Sequence, residues 1–306
     1  MFMSIQVTIL GCGSATPTLF RNPTAQWIEL HGRFFLIDCG EGTQVEMLRH
    51  KLKMSKLKAI FISHLHGDHF FGLPGLISSM HLMGRKEKLQ IIGPQGLKEI
   101  IELIFHHSET SLRFALDIME LEPGYAGKIL AGNSFEVFAF PLNHRISCFG
   151  FKFSESPKMR NLKPEMIEYY KVPVEDRKKI KEGADFIDPE GRRIPNSTLC
   201  YSPSASVQYA FCSDTAPGKD IIEYVKGVDA LYHEATFEND LETRAADTFH
   251  STAAQAAGQA REAKVKKLYL GHFSSRYRDT DIILNQAIAV FSNTVTVSDG
   301  YSFSVE

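Results

Sequence analysis

Apolar and polar positions alternate over short segments in the first half of the chain, and Gly, Pro or Asn bounds most of these segments. Such alternation is typical of β-strands, whereas apolar residues three or four positions apart indicate helices. Strands are predicted at 5–10, 27–30, 34–38, 57–62, 88–92, 114–121 and 133–140. Helices are predicted at 72–83 and 96–107, with a short basic helix before residue 57 and a turn at 93–96.

A polar stretch from about 154 to 200, with Pro, Lys, Glu and Gly throughout, interrupts the apolar pattern. After it, strands are predicted at 207–212, 228–232, 267–271 and 294–298. Helices at 217–226, 251–264 and 279–291 alternate with these strands. Strands followed by strand–helix alternation predict an α/β fold in which a β-sandwich carries helices on its outside.

Composition adds few constraints. The 306 residues are 43% hydrophobic and 23% charged, as in ordinary globular proteins. We expect no membrane span, because no apolar run approaches the roughly 20 residues that a bilayer requires. The beginning of the chain does not resemble a signal peptide. The five cysteines are scattered without a C-x-x-C pair, so disulfides are not expected and a cytoplasmic location is predicted. A net charge of −2 gives no global attraction to nucleic acid, so RNA binding would require local patches.

The segment after the predicted strand 57–62 is the most informative part of the chain. His64, His66, Asp68 and His69 lie within six residues, before a Gly-rich helical start. Residues two apart in an extended segment project the same way, so His64 and His66 can bind one ion together. Asp68 and His69 can then face a second ion. Imidazole and carboxylate ligands suit zinc, and also admit manganese or iron. The alternative is a polar cluster on a surface loop.

Four more ligand-type residues occur where predicted elements end. His144, Asp214 and His272 each follow a predicted strand, and His250 precedes a predicted helix. Each one alone has another explanation, because an Asp often caps a turn or a helix and a single His is often simply packed. Together with the first cluster they can form a site for two metals, which suits attack on phosphate or acyl centres.

These residues also carry a resemblance to a known superfamily. The set His64-x-His66-x-Asp68-His69, His144, Asp214 and His272 resembles the metal ligands of the metallo-β-lactamase superfamily. Three further stretches resemble the ribonuclease Z family, the tRNA 3′-end endonucleases, and the match covers essentially the whole chain. They are Leu10-Gly11-Cys12-Gly13-Ser14-Ala15-x-Pro17 with Asn22-Pro23, Asp38-Cys39-Gly40-Glu41-Gly42-Thr43-Gln44, and His233-Glu234-Ala235-Thr236 with His250-Ser251-Thr252.

The resemblance implies a metallo-β-lactamase αβ/βα sandwich over 1–306, a single domain with an inserted, protruding tRNA-binding arm at about 154–200. It also implies two Zn²⁺ per chain, with Asp214 bridging them. One ion would be held by His64, His66 and His144, and the other by Asp68, His69 and His272. Asp68 would orient the attacking water or accept its proton. His250 would donate a proton to the leaving 3′ oxygen, with Glu234 orienting it.

The arm carries the expected substrate contacts. Ser156-Pro157-Lys158-Met159-Arg160-Asn161 resembles a substrate loop of the family, so Lys158, Arg160 and Asn161 are candidate RNA contacts. Between Lys152 and Arg193 there are eleven basic and nine acidic residues. The arm is too poor in large apolar residues to be expected to form a core of its own. The family resemblance further implies a homodimer, in which the arm of one subunit grips tRNA at the partner's site.

The leading hypothesis is therefore a zinc-dependent endoribonuclease that removes the 3′ trailer from precursor tRNA. One alternative is an enzyme of the same chemistry that acts on small phosphodiesters or sulfate esters. A second alternative is a non-catalytic RNA-binding scaffold. The remaining histidines (His31, His50, His81, His106, His107) lie outside any motif and are expected to be structural or exposed.

Overall fold

The computed structural model describes residues 5–156, 159–203 and 206–305. The strands are β1 Ile5–Gly11, β2 Gly13–Ser14, β3 Ala25–Leu30, β4 Arg33–Ile37, β5 Leu57–Phe61, β6 Leu89–Pro94, β7 Leu116–Leu121, β8 Gly127–Gly132, β9 Phe135–Pro141, β10 Phe149–Glu155, β11 Phe186–Ile187, β12 Arg193–Ile194, β13 Gln208–Cys212, β14 Ala230–Glu234, β15 Lys267–Gly271, β16 Phe273–Ser274, β17 Thr294–Thr296 and β18 Ser302–Val305. The helices are α1 Thr43–Arg49, α2 Gly67–Phe70, α3 Leu73–Leu82, α4 Leu97–His107, α5 Pro164–Tyr169, α6 Val174–Glu182, α7 Asn196–Leu199, α8 Lys219–Tyr224, α9 Glu242–Thr248, α10 Ala253–Glu262 and α11 Asp281–Ile288.

Two seven-stranded sheets form the centre of the fold. The first has the order β18-β1-β3-β4-β5-β6-β7, and the second has the order β17-β15-β14-β13-β10-β9-β8. Strands β4 to β7 run parallel in the first sheet, as do β13, β14, β15 and β17 in the second. Because the carboxyl ends of parallel strands meet at one edge, the residues that follow them gather there.

Aromatic side chains fill the space between the two sheets. Phe35 and Phe61 of the first sheet contact Phe151 and Phe153 of the second, with ring centroids 5.4 to 5.8 Å apart. Helices α1, α3 and α4 pack on the other face of the first sheet through a separate apolar cluster. Helices α8, α10 and α11 pack against the second sheet. The layers are helix, sheet, sheet and helix, which confirms the predicted sandwich.

The chain divides into two compact units. The larger contains the residues up to Ala131, Phe135–Ser154 and the chain from Val207 onward, and the smaller contains Gly132–Ser134 and Glu155–Ser206. The smaller unit holds α5, α6, α7 and the β11–β12 ladder, in the segment predicted as an arm.

The expectation that the arm has no core of its own was wrong. Its helices and its small ladder bury a separate apolar cluster. The apolar residues are spread thinly over more than thirty positions, so their density along the chain does not reveal that folding brings them together. The cluster consists of Ile167, Val172, Ile180, Phe186, Ile194, Leu199 and Cys200.

One predicted turn also differs from the structure. The strand predicted at 88–92 continues to Pro94 as β6, so the turn occupies only Gln95 and Gly96 and not all of 93–96. Gly93 permits this extension, because a Cβ there would lie 2.7 Å from the Leu97 side chain. Among the described helices, none is both long enough and apolar enough to cross a membrane.

Candidate metal centre

The predicted ligands converge at the edge where the parallel strands end. His64 and His66 follow β5, and Asp68 and His69 lie in α2, the single helical turn that comes next. His144 follows β9, Asp214 follows β13 and His272 follows β15. The first four ligands come from the first sheet and the other three from the second. All seven predicted ligands therefore meet in one place.

The first ligand group consists of His64, His66, His144 and Asp214, whose ligand atoms lie within 4.8 Å of one another. Nδ1 of His66 is 3.0 Å from Nε2 of His64 and 3.2 Å from Nε2 of His144. Oδ2 of Asp214 is 3.6 Å from Nε2 of His64 and 3.9 Å from Nε2 of His144. Tetrahedral zinc bonds of about 2.0 Å place ligand atoms roughly 3.3 Å apart, so this spacing suits one ion.

The second group consists of Asp68, His69 and His272, together with the other oxygen of Asp214. Nε2 of His69 is 3.4 Å from Oδ2 of Asp68, and Nε2 of His272 is 3.7 Å from the same oxygen. Oδ1 of Asp214 is 3.3 Å from Nε2 of His69 and 3.0 Å from Nε2 of His272. Each oxygen of Asp214 thus faces a different ligand group, which is the arrangement that a bridging carboxylate needs.

Hydrogen bonding leaves the ligand nitrogens of both groups available. Nδ1 of His144 donates to the backbone carbonyl of Phe249 at 3.1 Å. Nδ1 of His272 donates to Oγ1 of Thr236 at 2.9 Å, since the Thr236 hydroxyl itself donates to Glu234. Among the described residues, the buried Nε2 atoms of His69 and His272 have no hydrogen-bond partner. Buried nitrogens without partners are costly unless something else binds them, so the residues fit a metal.

Asp38 holds one ligand of the second group in place through a hydrogen bond. Its carboxylate accepts hydrogen bonds from Nδ1 of His69 at 2.7 Å and from the backbone N–H of Ser63 at 2.7 Å. Burial raises the pKa of Asp38 above its usual value, although His69 and the Ser63 donors oppose this shift. Asp38 belongs to a stretch that resembles the family, but the sequence alone assigned it no role. Its position directly after the buried strand β4 is the signal that could have suggested one.

Asp68 is held by the backbone as well as by the ligands. The N–H of Ala15 donates to Oδ2 of Asp68 at 2.7 Å. The loop that carries Ala15 is itself fixed by Asp299, which accepts from the N–H of Cys12 at 3.1 Å and of Asn22 at 2.7 Å. Burial alone would raise the pKa of Asp68, but His69 and the other donors outweigh it and hold this pKa well below its usual range.

His250 and Glu234 form a pair beside the ligands. Oε1 of Glu234 is 2.8 Å from Nδ1 of His250, while Nε2 of His250 is 3.9 Å from Oδ2 of Asp214. Glu234 is fully buried and also accepts from the N–H groups of Thr215 and Thr236. Burial lowers the pKa of His250, but the Glu234 charge and hydrogen bond outweigh burial and raise this pKa to about 9. The Glu234 carboxylate therefore favours the protonated form of His250, whose Nε2 faces the ligands.

The centre opens into a cavity of about 520 Å³, which is within the usual range for ligand sites. Its wall includes two residues that the sequence did not single out, the exposed Arg145 and the exposed Phe71. The lining is completed by Ser14, Ala15, Pro17, Pro23, Glu41, His66, Gly67, Asp68, His144, Asp214 and His250.

The other named residues lie elsewhere. His233, in the same motif as Glu234, is buried, and its Nε2 is 2.9 Å from Oε1 of Gln259. Arg160 and Asn161 belong to the smaller unit, and Lys158 lies outside the described residues. Arg160 lines a cavity of about 390 Å³ within that unit, together with Lys163 and Tyr201.

Comparisons with known proteins place the whole chain among relatives and solved structures. A family model described as Anti-Pycsar protein Apyc1 matches residues 5–138, which is less than half of the chain. The ribonuclease Z of Bacteroides thetaiotaomicron is 44% identical over 300 residues, which cover 98% of this chain and 95% of that protein. The crystal structure of human tRNase Z, short form, has a TM-score of 0.72 and 27% identity, covering 98% of this chain and 99% of the human one. The metallo-β-lactamase fold protein YhfI of Bacillus subtilis, 17% identical with a TM-score of 0.68, covers 98% of this chain and 99% of its own and shares the fold.

Proposed function

Because the chain belongs to the ribonuclease Z family and is a metal-dependent endoribonuclease that processes tRNA 3′ ends, we propose that its seven-ligand centre holds two metal ions and cleaves precursor tRNA at its 3′ trailer. The observation that carries the proposal is the position of Asp214. Its two oxygens face two separate ligand groups, and among the described residues the buried Nε2 atoms of His69 and His272 have no hydrogen-bond partner.

The ions are assigned to these groups by the chemistry of the donors. His64, His66 and His144 would hold one, Asp68, His69 and His272 the other, and Asp214 both. Imidazole with carboxylate favours Zn²⁺, while Mn²⁺ and Fe²⁺ suit the same ligands. When bound, the pair of ions supplies an acidified water and neutralises charge that develops on the phosphoryl oxygens.

Asp68 would act as the group that orients the attacking water. The Ala15 N–H fixes Oδ2 of Asp68 in place, and the low pKa keeps the carboxylate ionised at neutral pH. An ionised carboxylate accepts a hydrogen bond from water and cannot donate one, which is the role required to orient the attacking water.

His250 would act as the general acid on the leaving 3′ oxygen. Glu234 binds Nδ1 of His250 and thereby directs the protonated Nε2 toward the centre. A protonated imidazole matched with an alkoxide leaving group lowers the barrier, because the ribose oxygen is a poor leaving group without a proton. Arg145, exposed in the cavity wall directly after His144, supplies a cation for the non-bridging oxygens.

The smaller unit is proposed to hold the body of the tRNA. Arg160 and Lys163 line one cavity with Tyr201, and the Lys163 ammonium lies 5.5 Å from the centre of the Tyr201 ring. Cations beside an exposed aromatic ring are suited to phosphate and base contacts. Lys158 and Asn161 are proposed contacts from the same loop on sequence grounds alone.

A homodimer is also proposed. Apolar side chains are exposed on α1 (Val45, Leu48) and at the end of α3 (Leu82, Met83). These helices are in contact, since the Ser79 hydroxyl donates to the Gln44 side chain at 2.9 Å. Exposed apolar side chains on neighbouring helices favour association with another protein surface.

All five cysteines are free and buried, which supports the proposed cytoplasmic location.

The direct test is incubation of the purified protein with an unprocessed tRNA transcript, followed by mapping of both cut ends. One cut at the trailer, abolished by chelation and restored by Zn²⁺, supports the proposal. Hydrolysis of small phosphodiesters without any cut in the transcript would favour the first alternative. RNA binding without hydrolysis of either substrate would favour a scaffold.

Metal analysis provides an independent measurement. Protein purified without chelator should contain close to two equivalents, and His272→Ala should lower this value toward one. His107→Ala, which changes a histidine outside the centre, is the matched control. A single equivalent that His272→Ala leaves unchanged would contradict the two-metal assignment.

A further inference from the structure

Phe71 is a large apolar side chain exposed beside the metal ligands. It lies in the wall of the catalytic cavity with Asp68, His66 and His144, yet 66% of its surface is accessible. Exposure of an aromatic ring is unfavourable in water, and neither the metal chemistry nor the proton transfers described above use it. A ligand bound in the cavity could cover the exposed ring and so remove it from water.

The ring is held in a fixed position. A Cβ at Gly67 would lie 2.3 Å from the Phe71 ring, so the ring rests directly against the backbone of Gly67. The neighbouring Phe70 ring contacts it at 5.1 Å between centroids, at an interplanar angle of 61°. Phe71 also closes the helical turn α2, because its N–H donates to the Gly67 carbonyl at 2.9 Å. The ring is therefore held against the Gly67 backbone and the Phe70 ring, while most of its surface stays open to a ligand.

The position of the ring relative to the proton donor indicates which part of the substrate it meets. In an in-line displacement, the leaving oxygen faces the general acid and the water attacks from the opposite side. Glu234 ends β14 of the second sheet and binds His250, whereas Phe71 directly follows α2, the helical turn that carries Asp68 after β5 of the first sheet. The nucleoside that leaves is therefore on the His250 side. The retained 5′ oxygen is an equatorial substituent of the phosphorus, so the nucleotide that keeps the phosphate extends sideways from the line between the water and His250, where the wall that carries Phe71 can receive it.

We infer that Phe71 is a stacking platform for the base of the first trailer nucleotide, the one directly downstream of the cut. This inference rests on the proposed function and specifies how that site holds its substrate. The trailer is single-stranded, so its bases can be splayed onto an aromatic ring. Stacking tolerates any base, which allows trailers of different sequence to be cut.

The test compares Phe71→Leu, which keeps an apolar side chain but cannot stack, with Phe71→Trp, which can. On precursor tRNA, Phe71→Leu should raise KM about 10-fold, as expected for the loss of one base–aromatic contact, and Phe71→Trp should not. On a precursor whose first trailer nucleotide is abasic, all three proteins should show the same KM. Phe20→Ala, in which a ring of similar exposure (63%) is removed from a different cavity, is the matched control.

A binding measurement complements the kinetics. In Asp68→Ala, which should bind RNA without cutting it, 2-aminopurine at the first trailer position should lose fluorescence on binding, and the additional Phe71→Leu change should abolish this loss. Equal KM defects on intact and abasic trailers would overturn the inference, because Phe71 would then act through packing. A defect that instead disappears with an abasic last tRNA nucleotide would overturn the assignment to the trailer.

Methyl p-nitrophenyl phosphate separates failure of this inference from failure of the proposed function. It has no aromatic group on the non-leaving side, so Phe71→Leu should hydrolyse it normally. If the unchanged protein hydrolyses this ester but never cuts precursor tRNA, both the proposed function and the stacking platform are excluded. If it cuts the precursor and Phe71→Leu behaves identically, only the platform is excluded.

Discussion

Oδ2 of Asp38 lies 2.7 Å from Nδ1 of His69, and both side chains are fully buried. This contact fixes the tautomer of His69 and directs its Nε2 toward Asp68 and Asp214. A carboxylate behind a ligating histidine also increases the basicity of the ring. Asp38 is therefore a positioning residue for the second ligand group.

We expect Asp38→Asn to weaken metal binding at the second group by about 10- to 100-fold, because the negative charge behind His69 is lost. Asn tolerates the left-handed backbone found at this position, where φ is 55°, so the fold should be retained. Competition with a chelator, followed by metal analysis, should show one ion leaving before the other. Simultaneous loss of both ions, or no change, would contradict this role.

His250→Ala should lower kcat by at least about 10²-fold, since the leaving oxygen would lack a proton donor. Asp68→Ala should have a comparable effect through the water. In both variants the affinity for tRNA should change little, because neither residue holds the phosphate backbone. A substrate with a p-nitrophenolate leaving group should partly rescue His250→Ala. Absence of rescue would remove His250 from the role of general acid.

Glu234→Gln should move the alkaline limb of the kcat profile to lower pH. The Glu234 charge raises the pKa of His250 to about 9, and the acid form is lost as pH rises through this value. Without that charge the pKa falls, so the acid form is lost at lower pH. Rates measured from pH 6 to 10 on precursor tRNA provide the comparison. The alkaline limb should be absent with a p-nitrophenyl ester, whose leaving group needs no proton. An alkaline limb on precursor tRNA that Glu234→Gln leaves unchanged would show that Glu234 does not set the pKa of the proton donor.

Replacement of residues 156–206 by Asn-Gly should abolish tRNA cleavage while leaving methyl p-nitrophenyl phosphate hydrolysis within about twofold. Ser154 and Gln208 are Cα partners in the antiparallel β10–β13 pair, so a two-residue hairpin can join the strands. The smaller unit buries its own apolar cluster, which is distinct from the cluster between the two sheets. Unimpaired tRNA cleavage by this variant would exclude the unit from substrate binding.

A mixed dimer tests whether this unit acts on the partner's site. One subunit would carry the hairpin replacement and the other Asp68→Ala, so the intact centre and the intact arm belong to different chains. The mixed dimer should have about half of the normal activity. In a separate measurement, tRNA binding should fall steeply as the salt concentration rises if basic side chains contact phosphates. If the mixed dimer is inactive while each parent dimer behaves as described, the arm serves its own subunit.

The strands and helices of the central layers were predicted well, because their apolar residues recur with the regular spacing of strands and helices. Six of the seven predicted ligands come together for a related reason, since each follows a parallel strand or lies in the next turn, and parallel strands share an edge. The seventh, His144, follows β9, which is outside the parallel set. The Phe-rich strand β10 was missed, although Phe149, Phe151 and Phe153 alternate. Helix α6 was missed because, in nine residues, Ile180 is its single buried side chain.

Other features were beyond reach of the sequence because they depend on tertiary contacts. The roles of Asp38 and Thr236 depend on hydrogen bonds to histidines that are more than thirty residues away in the chain. The core of the smaller unit depends on five short elements that meet only after folding.

The division of the ligands between two sheets has a consequence for newly made protein. His64 and His272 are separated by about two hundred residues, and the strands that they follow belong to different sheets, which pack together through an apolar layer. A chain still emerging from the ribosome has the first four ligands long before the last one. Such a fragment lacks His272 and cannot complete the proposed two-ion centre, so we expect it to be unable to cut the RNA around it. We expect activity to appear only after β15, which His272 follows, has docked.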